Sequence, residues 1–206
     1  PKTDSGAAYA GDIKYRDLNG DGVINEQDQR KIGDANLAEW SYGFFVGAAY
    51  KGFDVKALFT GVANRDYTYG DLNIMAFKNE AGNGNEWGGG SVQKYHLENR
   101  YNPQDPSTWR TAKYPRLSLL GGTHNRLDSD FWQDNGNFLR LKTLEIGYTL
   151  PQNWTRKVKI SKARIFYTGY NLFTWHNMRV IDPESQPGAC NYPVQKVSSF
   201  GLSLQF

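Results

Sequence analysis

EWSYGFFVGAAYKGFDVKALFT, residues 39–60, is the stretch on which the fold turns. Its even positions from Trp40 onward are Trp40, Tyr42, Phe44, Val46, Ala48 and Tyr50, while Ser41, Gly43, Gly47 and Ala49 between them are small or polar. Phe45 is the exception. After Lys51-Gly52 the alternation resumes, with Phe53, Val55, Ala57 and Phe59 on one side and Asp54, Lys56, Leu58 and Thr60 on the other. A period of two on both flanks of a short Gly turn predicts a β-hairpin.

Three further runs extend the pattern. Phe138 to Leu150 carries Leu144, Ile146, Tyr148 and Leu150 on one parity, but Leu139 and Leu141 on the other. That switch predicts a bulge near Lys142-Thr143, and Pro151 then stops the strand. Ala163 to Trp175 is the fourth run. The fifth, Ser198 to Phe206, alternates Phe200, Leu202, Leu204 and Phe206 with Gly201, Ser203 and Gln205. The expected strands are therefore 39–50, 53–61, 138–150, 163–175 and 198–206. Residues 1–38 precede them, and a loop over 62–137, rich in Gly and Asn, separates the second from the third. A short helix is expected inside that loop near Asp71 to Asn79.

Composition narrows the class. Against 24 Lys+Arg stand 21 Asp+Glu, a net charge of +3, too even for a nucleic-acid binder that relies on a basic face. Six Trp, thirteen Tyr and eleven Phe with 22 Gly suit short strands and polar turns rather than a helical bundle or disorder. Cys190 is the sole cysteine, so there is neither an intrachain disulfide nor a thiolate metal cage. His96, His124 and His176 form no helical pair, and Gly82 to Gly90 lacks the Lys-Ser/Thr of a phosphate loop. No Ser/His/Asp motif is present, so nothing supports an enzyme. No export-signal pattern opens the chain and no apolar run is long enough for a membrane helix.

The pattern fits two architectures. Strands of about 9–11 residues, short turns on one side and long loops on the other describe part of a transmembrane antiparallel β-barrel. Trp40, Tyr42, Phe173 and Trp175 would then form an outer aromatic belt, and Tyr50, Phe53, Tyr148, Leu150, Trp154 and Phe206 an inner one. The alternative is a soluble, secreted, calcium-stabilised carbohydrate-binding β-sandwich with one wet face.

One motif carries explicit chemistry. Asp17 to Asp28 follows the calcium-loop pattern: Asp17, Asn19, Asp21, the Val23 carbonyl, Asn25 (through water) and Asp28 stand at positions 1, 3, 5, 7, 9 and 12, with Gly22 at the turn. Calcium takes six to eight oxygens at flexible geometry, which such a loop supplies. Asp28 replaces the usual Glu and the incoming segment reads as extended, so the loop resembles the half EF-hand of dockerins. A shorter acid predicts weak affinity, about 10⁻⁴–10⁻³ M. In the long loop, Trp87, Tyr95, Tyr101, Trp109 and Trp132 are candidates for stacking on a sugar or lining a peptide site.

Taken in order, the segments Gly11 to Gly33, Ser41 to Gly61, Asn99 to Pro103, Tyr114 to Ser118, Ser129 to Pro151, Ala163 to Trp175 and Ser198 to Phe206 resemble the C-terminal part of SusC/RagA-like TonB-dependent outer-membrane transporters. The resemblance implies the last strands of a barrel of about 22 strands, with long extracellular loops, in the outer membrane of a Gram-negative bacterium. It further implies a plug, TonB contact through a missing N-terminal part, a SusD-like surface lipoprotein as lid, and glycan or peptide oligomers as cargo. Phe206 resembles the terminal aromatic read by the barrel-assembly machinery. On this reading Trp40, Phe44, Val46, Phe59, Ile146, Leu202 and Leu204 meet lipid, while Lys56, Thr60, Glu145, Arg164 and Gln205 face the lumen.

Overall fold

A computed structural model describes residues 2–3, 8–69, 76–77, 92–118, 124–185 and 192–206. The chain divides into two units: 1–33, 68–133 and 186–190 in one, and 34–67, 134–185 and 191–206 in the other. Most of the expected helix near Asp71 to Asn79, and Trp87 and Cys190, lie outside the described residues.

The second unit is built on an antiparallel sheet of five strands: β1 (Trp40–Tyr50), β2 (Phe53–Ala63), β3 (Phe138–Thr149), β4 (Lys162–His176) and β5 (Val197–Gln205). Each pairs with the next in chain order, an up-and-down meander. Lys51 (φ 47°) and Gly52 (φ 90°) join β1 to β2. Positive φ at both central residues marks the turn whose twist matches flanking strands. The bulge expected near Lys142-Thr143 is present, because the β2–β3 and β3–β4 registers both shift between Leu141 and Thr143. β4 accommodates the shift with Asn171 at φ 53°.

Register sorts the side chains into two faces, because partners across a ladder point the same way. One row runs Tyr50, Phe53, Tyr148, Ile165 and Leu202 across all five strands; another runs Phe44, Phe59, Leu141 and Phe173. Every lipid-facing residue expected from the sequence falls on this apolar face. It is open, with Trp40, Phe44, Leu202 and Leu204 all exposed. Among the described residues no second sheet packs over it, so the arrangement a sandwich requires is not seen. The opposite face carries Asp54, Lys56, Thr60, Thr143, Glu145, Arg164, Thr168 and Gln205.

The first unit holds little regular structure: a two-residue parallel pairing of Lys2–Thr3 with Val23–Ile24, and the short helix α1 (Lys94–Asn99). Its interior is aromatic and polar, built on Tyr69, His96, Tyr114, His124 and Trp132, all buried. Trp132 meets Tyr114 edge-on at 5.8 Å and its indole N–H donates to the Asn125 carbonyl at 2.7 Å.

Candidate functional site

The polar face of the sheet is organised by two charge clusters. Toward the Lys51-Gly52 end, Arg164 on β4 reaches across Gly147 to bond Glu145 on β3 at 2.6 Å and Asp54 on β2 at 3.1 Å. Gly147 makes this reach feasible: a Cβ there would lie 2.3 Å from the guanidinium. Lys56 stands 3.9 Å from Glu145 and completes the group.

At the other end of the same face, Arg140 on β3 is 1% exposed. Its row is Gly43, Thr60, Arg140 and Thr174. The segment Asp182 to Ser185 lies over it. Arg140 donates to both Asp182 oxygens at 2.6 and 2.8 Å and stands 3.4 Å from Glu184. Lys142, the bulge residue, reaches the two Glu184 oxygens at 3.2 and 3.3 Å. From the loop after β2, Arg65 donates to the carbonyls of Pro183 at 2.6 Å and Ser185 at 3.1 Å, and to that of Asn36 at 2.9 Å. Pro183 between the two carboxylates is fully buried.

This clamp escaped the sequence reading. Arg65 and Pro183 are 118 positions apart and no local motif joins them. The available signal was Arg140, a charge near the start of β3 between Leu139 and Leu141.

The calcium-type loop forms as a nest of short bonds. Asp17 accepts from the Gly20 and Gly22 amides at 2.6 and 2.8 Å, Asn19 from Asp21 at 2.9 Å and Asp21 from Val23 at 2.8 Å. Gly20 and Gly22 take φ of 80° and 84°, the conformation such a turn demands. Asp28 folds back to accept from Leu18 at 2.7 Å and Asn25 at 3.0 Å, and Asn25 caps the short 3-10 helix Glu26–Asp28. The Asn25 and Leu18 amides hold the Asp28 carboxyl below its usual range, so it is ionised at neutral pH. Asp17, Asp21 and Asp28 thus lie with Asn19 and Asn25 on one turn, their carboxylates accepting from the loop's own backbone amides. Among the described residues no group of three or more His, Cys, Asp or Glu is spaced as a metal cage.

Of the loop aromatics, Trp109 is exposed and stacks with Tyr101 at 6.5 Å; its indole donates to the Asn102 carbonyl at 3.1 Å. Tyr95 on α1 lies edge-on to Tyr114 at 6.2 Å. Trp132 is only 2% exposed and belongs to the core of its unit. Nearby, Asp12 ties the first segment down through Arg116 at 2.6 Å and Asn125 at 2.8 Å. Burial works against the Asp12 anion, but those donors and the Tyr9 amide outweigh it and keep its pKa low. Burial pushes the Tyr15 phenol up to about 12; it donates to the His124 carbonyl at 2.8 Å. Phe206, just past β5, is 85% exposed.

An antiparallel meander with one open apolar face and one polar, ion-paired face has the two-sided pattern that a barrel wall calls for. Similarities agree with that class. No family model matches the chain. It is 27% identical over 209 residues to TonB-dependent receptor P26 of Formosa agariphila, covering 95% of this chain and 20% of that protein. It is also 27% identical over 219 residues to TonB-dependent receptor P3 of the same organism, covering 98% and 20%. The chain thus spans about a fifth of these curated relatives. Structurally it matches chains of the RagAB peptide importer: TM-score 0.61 and 23% identity in the open-open state, 0.63 and 24% in the closed-closed state. Each match covers 89% of this chain and 19% of the other. The likeness to SusC/RagA-like TonB-dependent transporters read from the sequence therefore stands as a likeness, carried by the curated receptors in sequence and by the importer chains in fold.

Proposed function

We infer that the chain forms part of the wall of an active importer in the outer membrane of a Gram-negative bacterium. The observation that carries this is the open apolar face, continuous across five strands. From Trp40 to Tyr50 are ten steps, about 33 Å along the strand, which projects to about 25 Å at the usual barrel tilt. That is the height of a barrel's lipid-facing band. The likeness to TonB-dependent receptors supports import energised through TonB, with plug and remaining strands supplied by the rest of the protein. The likeness to the RagAB peptide importer supports peptide oligomers as cargo, glycan oligomers being the other class, and a SusD-like lipoprotein as surface partner. The loop at 17–28 takes calcium on this reading, and the exposed Trp109-Tyr101 stack is the first of the loop aromatics to consider for cargo contact.

Fractionation of the full-length protein from its native host tests the inference. It should pellet with the outer membrane, need detergent for release, and migrate faster unheated than boiled. Recovery as a monomer in detergent-free buffer would overturn it in favour of the secreted sandwich.

A further inference from the structure

The connection between β3 and β4, residues 151–161, reads PQNWTRKVKIS, with three cations, Arg156, Lys157 and Lys159, and no acid. It folds as the short helix α2 (Gln152–Thr155) running into the 3-10 turn Arg156–Val158. Two bonds of 3.1 Å close it, from the Ile160 amide to the Thr155 carbonyl and from the Lys159 amide to the Arg156 carbonyl. That pair is a Schellman closure, whose left-handed position is usually Gly or Asn. Here Lys159 takes it, at φ 59°. The β1–β2 turn lies at the same end of the sheet, since the Thr149 amide donates to the Gly52 carbonyl at 2.8 Å, and it puts Lys51 at φ 47°. Two lysines thus hold, at one end of the sheet, a conformation that a side chain makes costly. Arg156, Lys157 and Lys159 are exposed, and among the described residues none is ion-paired. The nearby carboxylate of Asp54 is engaged by Arg164. Beside these cations stand exposed aromatics: Trp154 on α2 is 64% exposed, and the Tyr50 ring carries the Lys51 ammonium 5.1 Å above its centre. Free cations next to exposed Trp and Tyr are the side chains that a bilayer interface recruits.

We propose that Lys51, Arg156, Lys157 and Lys159 dock on the phosphates of anionic phospholipid headgroups, with Trp154 and Tyr50 seated beside them at the bilayer interface. The proposal rests on the importer reading for the presence of a bilayer against this sheet, and adds that this end of the sheet selects the charge of the lipid. Charge complementarity names the occupant. A closed turn already fixes the backbone that carries the cations, so little ordering is left for binding to offset. Each such cation favours an anionic surface by about fivefold. A zwitterionic headgroup carries no net charge and gains nothing comparable.

The experiment uses full-length protein reconstituted in bilayers, with a dansyl label on Asn153→Cys in a cysteine-free background; Asn153 is exposed on α2. Quenching by dibrominated phosphatidylglycerol diluted in phosphatidylcholine, compared with the reverse pair, reads the local lipid preference. It should favour phosphatidylglycerol about fivefold or more at low salt and weaken as salt rises. In Arg156→Gln/Lys157→Gln/Lys159→Gln the preference should vanish, whereas Arg156→Lys/Lys157→Arg/Lys159→Arg, which keeps the charge, should retain it. Should the neutral variant fail to assemble, Lys159→Gln alone carries the same comparison with a smaller loss. Equal quenching by the two lipids, or a preference unchanged in the neutral variant, would overturn the proposal. A dansyl response to polyglutamate in phosphatidylcholine bilayers, with no preference between lipids, would overturn the lipid and assign the turn to an acidic protein. A protein that needs detergent for release yet shows no lipid preference sinks this proposal alone. Recovery in detergent-free buffer sinks the importer reading instead.

Discussion

Val46 sits near mid-strand on the apolar face, 55% exposed, paired with Ala57. An arginine there would place a charge in hydrocarbon, at a cost of about 2–4 kcal/mol near the midplane. Val46→Arg in the full-length protein should therefore block assembly, read as loss of the heat-modifiable band. The polar-face control must be chosen with care. Thr60 looks tolerant from sequence, but its register partner is the buried Arg140, so an arginine at 60 would set two cations together. Ser199 is exposed on the polar face opposite Thr168, and Ser199→Arg should assemble normally. Equal assembly of Val46→Arg and Ser199→Arg would contradict the facing assignment. Gly52 offers a second test, since a Cβ there would lie 2.8 Å from the Thr149 carbonyl on a backbone at φ 90°. Gly52→Val should cost on the order of 1–3 kcal/mol, seen as a lower urea midpoint for folding into bilayers; an unchanged midpoint would remove the turn from the account.

The elements show which physics a sequence displays and which it hides. All five strands were legible because burial on one face writes itself as period two, and the bulge because one extra residue inverts that period. Their observed ends differ from expectation by at most two residues. Short helices such as α1 leave no such trace, since one and a half turns are too few for a period of 3.6 to register. The clamp of Arg65 and Arg140 on 182–185 is a tertiary product, set by which loop the meander brings over which row. The loop at 17–28 is the opposite case, a local turn whose hydrogen bonds follow from sequence spacing alone. Isothermal titration of the full-length protein should give calcium heat at millimolar metal, lost in Asp17→Ala. No heat in wild type, or equal heat in the variant, would leave the loop as a plain Asx-rich turn.

At the scale of the molecule, five strands do not close a barrel, which needs about eight or more. Among the described residues nothing pairs with the outer edge of β1 or of β5. Exposed edges of this length invite pairing, and the curated relatives, of which this chain spans about a fifth, carry further polypeptide of the kind that could pair with such edges. On the importer reading proposed above, the two faces divide the labour, the apolar one toward lipid and the one bearing the ion pairs and the 182–185 clamp toward water.

The most direct test of that division is spin-label accessibility in the full-length protein reconstituted in bilayers. Labels at Val46, Ile146 and Leu202 are compared with labels at Lys56, Glu145 and Ser203. The first set should be relaxed strongly by oxygen and weakly by a water-soluble nickel chelate, and the second set the reverse. The same relaxation pattern at both sets, or an inverted one, would contradict the claim that the apolar face of this sheet meets hydrocarbon.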